Sequence, residues 1–204
     1  MENKTENNEA KILNAAKNIF QQKGMTGARM QEIADKAGIN KALLHYYYRS
    51  KQLLFEAVFN QAFKIIAPKL GAVLNSDLPL FDKIKQFTQG YISFVIEHPY
   101  LPGFIIHELN QNPEFAQQLT KKKHFPNIQK FQKQIEQAVK MGEIKPISPN
   151  QLFVNIISLT VFPFVGAPLL KGMTNLNDAA YNDLLNSRKT EVSDFIINAI
   201  KQEK

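Results

Sequence analysis

An all-α fold is predicted, and three features of the sequence predict it. Apolar residues recur at three- and four-residue spacing along almost every segment. Strand-like alternation never lasts more than a few residues, and no internal repeat is present. Helix caps and breakers punctuate the chain where one periodic stretch gives way to the next. About nine helices result. Three fall in residues 1–50 and the rest in 51–204, longer for the most part beyond about residue 76, with a fourth helix from residue 51 linking the two domains.

In the first helix Ile12, Ala15, Ala16, Ile19 and Phe20 share one face, and Gly24 is placed to end it. A second runs from near Ala28 to Ala37, closed by Gly38. Asn40 caps a third that ends near Tyr47 or Tyr48. Ser50 caps a fourth, with Leu53, Leu54, Ala57, Val58, Ala62, Ile65 and Ile66 on one face. Pro68 and Gly71 should end or bend it. A helix over Leu80 to Glu97 turns Ile84, Phe87, Tyr91, Phe94 and Val95 inward and stops at His98-Pro99. A short helix comes next, around Gly103 to Leu109. Another starts at Pro113, breaks or bends at Pro126 and ends near Gly142. Ser148-Pro149-Asn150-Gln151 is a strong helix start, and Pro163 should kink or stop the helix that it opens. The last helix, Asn177 to Lys201, carries Tyr181, Leu184, Leu185, Val192, Phe195, Ile196, Ala199 and Ile200 at helical spacing.

Composition narrows the function classes. The 204 residues hold no Cys, which excludes a disulfide scaffold, a thiolate metal site and a Cys nucleophile. With four His as well, a metal site is not expected, and no cofactor is implied. An apolar share of 44% allows a substantial core. The polar start, MENKTENNEAK, is no secretory signal, and no apolar run is long enough to span a membrane. A soluble, cytoplasmic protein is expected. The net charge of +7 is unevenly spread: eight basic and five acidic side chains fall in residues 1–50, so net charge per residue is higher there than in the rest. A polyanion partner is sought there first.

Residues 30–47, MQEIADKAGINKALLHYY, form the most specific signal. Two short helices crossing steeply need a small residue where they touch (Ala34) and one at ease with positive φ in the tight turn (Gly38). They also need an apolar plug after that turn (Ile39) and a buried leucine in the second helix (Leu44). This is the helix-turn-helix pattern, whose second helix lies in the DNA major groove. Asn40, Lys41, Ala42, Leu43, His45 and Tyr46 are left to face outward. Lys41 suits guanine acceptors or a phosphate, and Ala42 and Leu43 suit thymine methyls. His45, Tyr46 and Tyr47 suit phosphate contacts. Lys51, opening the fourth helix, could grip a phosphate together with the amides there.

With these residues in view, positions 10–60 resemble the DNA-binding domain of the TetR family of transcriptional regulators. The run ILNAAKNIFQQKGMTGARMQEIADKAGINKALLHYYYRSKQLLFEAV matches in helix order, turn glycine and the aromatic–x–Ser–Lys before helix four. HPYLPGFIIHELNQNPEF and GEIKPISPNQLFVNIISLTVFPF are similar, more weakly, to C-terminal domains of that family. The resemblance implies a dimeric repressor with an effector pocket, dimerised through its last two long helices. It also implies phosphate contacts at the start of helix two, where Arg29 and Gln31 stand and Met30 departs from the usual hydroxyl. His45 stands where the family most often has tyrosine, and Tyr48 replaces a common core phenylalanine.

In the C-terminal part, Phe87, Tyr91, Phe94, His98, Phe104, His107, Phe125, Phe131 and Phe162 are candidates for an apolar effector pocket; the same residues equally suit a packed helical core. The expected function is a ligand-responsive regulator, a repressor that binds a palindromic operator in double-stranded DNA as a homodimer and is released by a small apolar effector. It is not expected to be an enzyme. The alternatives are an enzyme or carrier for a hydrophobic small molecule, with the basic N-terminus incidental, and a sequence-neutral architectural protein. No paired carboxylates, nucleophile elbow or phosphate loop support chemistry.

Overall fold

The computed structural model describes residues 2–111, 114, 117, 120–121 and 126–202. Among the described residues there are ten helices and no strand, only an isolated bridge between Ile144 and Lys201. The chain packs as two compact units, Met1–Ile65 and Ile66–Lys204.

The first unit holds α1 (Glu2–Gly27), α2 (Met30–Ala37), α3 (Lys41–Tyr47) and the beginning of α4 (Lys51–Leu74). Ile12, Ala16, Phe20, Ile33, Ala34, Leu44, Leu54 and Phe55 are buried at its centre. Phe20 and Phe55 meet at 4.7 Å between ring centroids. Gly24 breaks α1 as its position predicts: at φ 65° and ψ 178°, a conformation open to glycine, its backbone is non-helical, and a separate short turn follows to Gly27. On α4, Leu54, Phe55, Val58, Phe59 and Ala62 turn inward, while Leu53 and Ile65, expected inside, are exposed. Phe55 and Phe59 shift the buried stripe round the helix. Pro68, expected to end or bend α4, does not end it: it lies on the exposed side with Lys64, where solvent can take the carbonyl it leaves without an N–H.

The second unit holds the rest of α4, α5 (Leu80–Glu97), α6 (Leu101–Gln111), α7 (Gln129–Lys140), α8 (Pro149–Val165), α9 (Ala167–Thr174) and α10 (Asp178–Ile200). The expected helix from Pro113 falls largely outside the described residues; its second half is α7, and residues 126–128 before it are not helical. A core of Leu74, Ile84, Phe87, Ile92, Phe131, Ile135, Leu152, Ile156, Val192 and Ile196 joins α4, α5, α7, α8 and α10. The loop from α4 to α5 is fixed by side-chain donors. Buried Lys83 reaches the Leu74 and Ser76 carbonyls at 3.2 and 3.0 Å. Lys130 reaches Asn75 O and Asp77 Oδ1, and Gln134 reaches Leu78 O. Burial first, and then the nearby Lys130 charge, push the Lys83 ammonium below its usual range, an effect that Asp77 opposes.

The start of α8 differs from expectation: Pro149 is at the first position, but the Ser148 side chain makes no capping bond. Its end differs too. α8 passes through Pro163 to Val165 and breaks at Gly166, and α9 leaves at 77°. Proline lacks the N–H that would bond Leu159 O. Arg188 Nη2, from α10, donates to that carbonyl at 2.6 Å instead. Tyr181 Oη donates to Pro163 O, also at 2.6 Å. The carbonyl that Pro163 leaves without its helical partner is thus satisfied from α10, and α10 also meets the carbonyl of the proline itself. On α10, Tyr181, Leu185, Val192, Ile196 and Ile200 are buried, but Phe195 and Ala199 face outward.

Candidate nucleic-acid interface

The turn between α2 and α3 has the geometry its sequence requires. Gly38 is left-handed at φ 68° and ψ 34°; its N–H donates to Asp35 O, and Ile39 N–H donates to Ala34 O at 3.0 Å. Ala34 is wholly buried where α2 and α3 approach. Asn40 caps α3, its Oδ1 accepting from Leu43 N at 2.7 Å. The cap aims the first turn of α3 outward. Asn40, Lys41 and Ala42 are exposed, and Leu43 and His45 half-buried. Tyr46 is 79% exposed and meets Tyr47 edge-on, ring centroids 5.6 Å apart. Leu44 turns inward and is fully buried. The base-reading candidates therefore share one outward surface.

Arg29 occupies the cap position of α2 in extended backbone, exposed, and Gln31 is exposed with its Nε2 donating to Asp35 Oδ1. Lys23 pairs with Glu32. Lys51 is engaged within the protein. Its Nζ donates to Ala28 O at 3.0 Å and Thr26 O at 3.3 Å, tying the start of α4 to the link between α1 and α2. An ammonium has three donors, so one remains for a further acceptor. Tyr48 caps the far end of α3 and is buried, and its hydroxyl donates to Glu9 Oε1 on α1 at 2.9 Å. Burial first, then the Glu9 carboxylate, pushes this phenol above its ordinary range. A tyrosine in a core position signals a hydroxyl partner; nothing local in the sequence identifies Glu9 as that partner.

The effector candidates are divided. Phe87 is buried, stacks on Tyr91 at 6.0 Å and leans on Phe153 at 6.4 Å. Burial raises the Tyr91 phenol. Phe94 lies against buried His98 at 4.5 Å, and Tyr100 Oη is 3.4 Å from His98 Nδ1. Phe131 is packed in the core, while Phe162 is 53% exposed on α8, away from that core. The side chains of Phe104 and His107, and Phe125 altogether, lie outside the described residues.

A different surface stands out on α8 and α10. Val154, Phe162 and Phe195 are exposed there. A groove of about 400 Å³ is lined by Leu152, Asn155, Ser158, Phe195, Ala199 and others. A second hollow of about 230 Å³ adjoins Leu159, Arg188, Glu191 and Phe195. Among the described residues no group of three His, Asp or Glu side chains is placed to hold a metal. No single described helix is long and apolar enough to cross a membrane; only α8 and α9 together are, and they are bent.

Known proteins agree with this geometry. The model of the family described as bacterial regulatory proteins, tetR family, matches residues 12–58, which contain α2, the turn and α3. The HTH-type transcriptional regulator RutR of Escherichia coli K12 is 30% identical over 193 residues, covering 93% of this chain and 89% of its own length. The negative regulator IcaR of the biofilm operon icaADBC in Staphylococcus aureus is 29% identical over 104 residues, 51% of this chain and 54% of IcaR. A TetR/AcrR-family regulator from Thermobifida fusca shares the fold with a TM-score of 0.60 at 13% identity, covering 91% of this chain and 96% of that one. The helix-turn-helix and the near full-length match to RutR together place the chain in the TetR family of transcriptional regulators.

Proposed function

We propose that the protein is a ligand-responsive repressor that grips an operator in double-stranded DNA as a homodimer. The observation that carries this reading is the surface of α3: a side-chain cap, an exposed Lys41 and Ala42, and an almost fully exposed Tyr46, all set on one buried leucine. In this reading the start of α3 enters the major groove, with Lys41, Ala42 and Leu43 on base edges. Arg29, Gln31, Asn40, His45, Tyr46 and Tyr47 contact bases or backbone around it. Lys51 holds the link to α2 with two hydrogens and offers the third to a phosphate.

The apolar face of α8 and α10 is read as the surface that a second copy covers. One soluble chain seldom leaves such a patch to water. A two-fold dimer sets two reading helices about 34 Å apart, on one face of the duplex. A small apolar effector enters the second unit near Phe87, Tyr91, Phe94 and His98. It shifts the dimer toward a state that fits the operator less well, by no more than its differential affinity for the two states. That IcaR is named a negative regulator supports the repressor sense. The protein acts in the cytoplasm and needs neither catalysis nor a cofactor; the relatives, all regulators, lend nothing to an enzyme or carrier reading.

The test is a gel shift on DNA from the protein's own promoter region at moderate salt. A complex competed by the same sequence and not by unrelated duplex is expected. A shift on any duplex alike would leave an architectural protein, and no shift at all would overturn DNA binding.

A further inference from the structure

The helix α3 has seven residues, too short to be stable on its own. Within it only Leu44 is buried. One anchor fixes a point and leaves the helix free to swing about it. Tyr48, four residues on and on the same face, is the second anchor, and two points define an axis. Apolar burial of its ring alone would be non-directional. Its hydroxyl is not: it donates to Glu9 Oε1 at 2.9 Å, a bond to a charged acceptor on a separate helix. Glu9 itself is exposed, so the core does not need it for packing. The opposite end of α3 is already fixed by the Asn40 cap.

We infer that the Glu9–Tyr48 hydrogen bond sets the axis of α3, making Tyr48 and Glu9 positioning residues for base reading although neither touches DNA. The inference rests on the DNA-reading proposal for its consequence, and on the free protein for its structural part. The test therefore has two arms, on Tyr48→Phe, Glu9→Ala, Glu9→Gln and the double variant Glu9→Ala/Tyr48→Phe, at a temperature where all are folded. In the first arm, amide hydrogen exchange of the free protein is measured. Faster exchange in α3 is expected for Tyr48→Phe and Glu9→Ala, with α2 unchanged and Glu9→Gln, which keeps an acceptor without its charge, between wild type and Glu9→Ala. In the second arm, binding is measured on a duplex that the wild type enriches from a randomised pool, and on that duplex with single base pairs changed. Each of Tyr48→Phe and Glu9→Ala should bind about fivefold more weakly, the scale of one lost charge-assisted bond of modest net strength, and discriminate less between the duplexes. The salt dependence should not move, because no phosphate contact is lost. The double variant should be no worse than either single one. Wild-type exchange in α3 together with wild-type discrimination in Tyr48→Phe overturns the inference, as does a double variant losing the product of both effects. If the wild type enriches no duplex while Tyr48→Phe still loosens α3, the DNA reading fails and the positioning of α3 stands.

Discussion

Lys51 shows how one side chain can serve the fold and the site together. Its two carbonyl bonds hold the link between α1 and α2, so Lys51→Ala should lower the stability of the first unit by about 1 kcal/mol. It should also weaken binding to every duplex alike and flatten the salt slope. Thermal melting and salt-dependent fluorescence titration check the two parts; a salt slope like that of wild type removes the phosphate role. Tyr100 sets a pH limit. Burial pushes its phenol up to about 12 from an ordinary value of 10.0. The folded state thus prefers the neutral phenol, and this contribution is whole below pH 10 and is lost as pH rises through about 12. Melting temperature should fall over that window, and less steeply for Tyr100→Phe; parallel curves would show that this phenol is not responsible. The turn, cap and anchor residues of α2 and α3 were legible in the sequence because local geometry fixes them. Gly38, Asn40 and Leu44 lie within a few residues of one another, and a tight turn admits few alternatives. The partners of Lys51 and Tyr48 were not legible, since they lie on α1 and its link to α2, more than twenty residues away along the chain.

Among the elements, the end of α8 is the part where sequence rules misplace the break. Pro163 signals a stop on its own, yet α8 continues to Val165: Arg188 from α10 supplies Leu159 O with the donor the proline lacks, and Tyr181 donates to Pro163 O itself. Sequence shows the proline and not the donors. Arg188→Met should therefore destabilise the second unit by about 1 kcal/mol, the cost of stranding a part-buried carbonyl. Pro163→Ala returns an N–H to Leu159 O, so the same arginine change should cost less in that background. A double-mutant cycle by urea unfolding measures the difference. Strict additivity would mean that Arg188 does not act through the Leu159 carbonyl. On α4 the answer is different: Pro68 and Gly71 signal an end or a bend, but the carbonyl without a partner lies on the exposed side, and the helix runs on to Leu74, whose carbonyl Lys83 meets.

For the molecule as a whole, periodicity gave the all-helical class and could not separate an intrachain core from a surface awaiting a partner. Phe195 and Ala199 share helical spacing with Ile196 and Ile200, and only coordinates show that the first pair faces out. Phe195→Glu should shift the protein to monomers, weakening self-association at least about tenfold, as expected for a central aromatic anchor. Sedimentation velocity reads this directly; an undisturbed dimer would move the interface elsewhere. A monomer should also lose the operator, because each half-site alone contributes only part of the affinity. Sequence selection from a randomised DNA pool by the intact protein tests the regulator reading most directly. A two-fold symmetric site is expected, with half-sites one helical turn apart, about 34 Å, and altered base preference under Lys41→Ala. A pool returned unenriched, or an enriched site without two-fold symmetry that Lys41→Ala leaves unchanged, would contradict it.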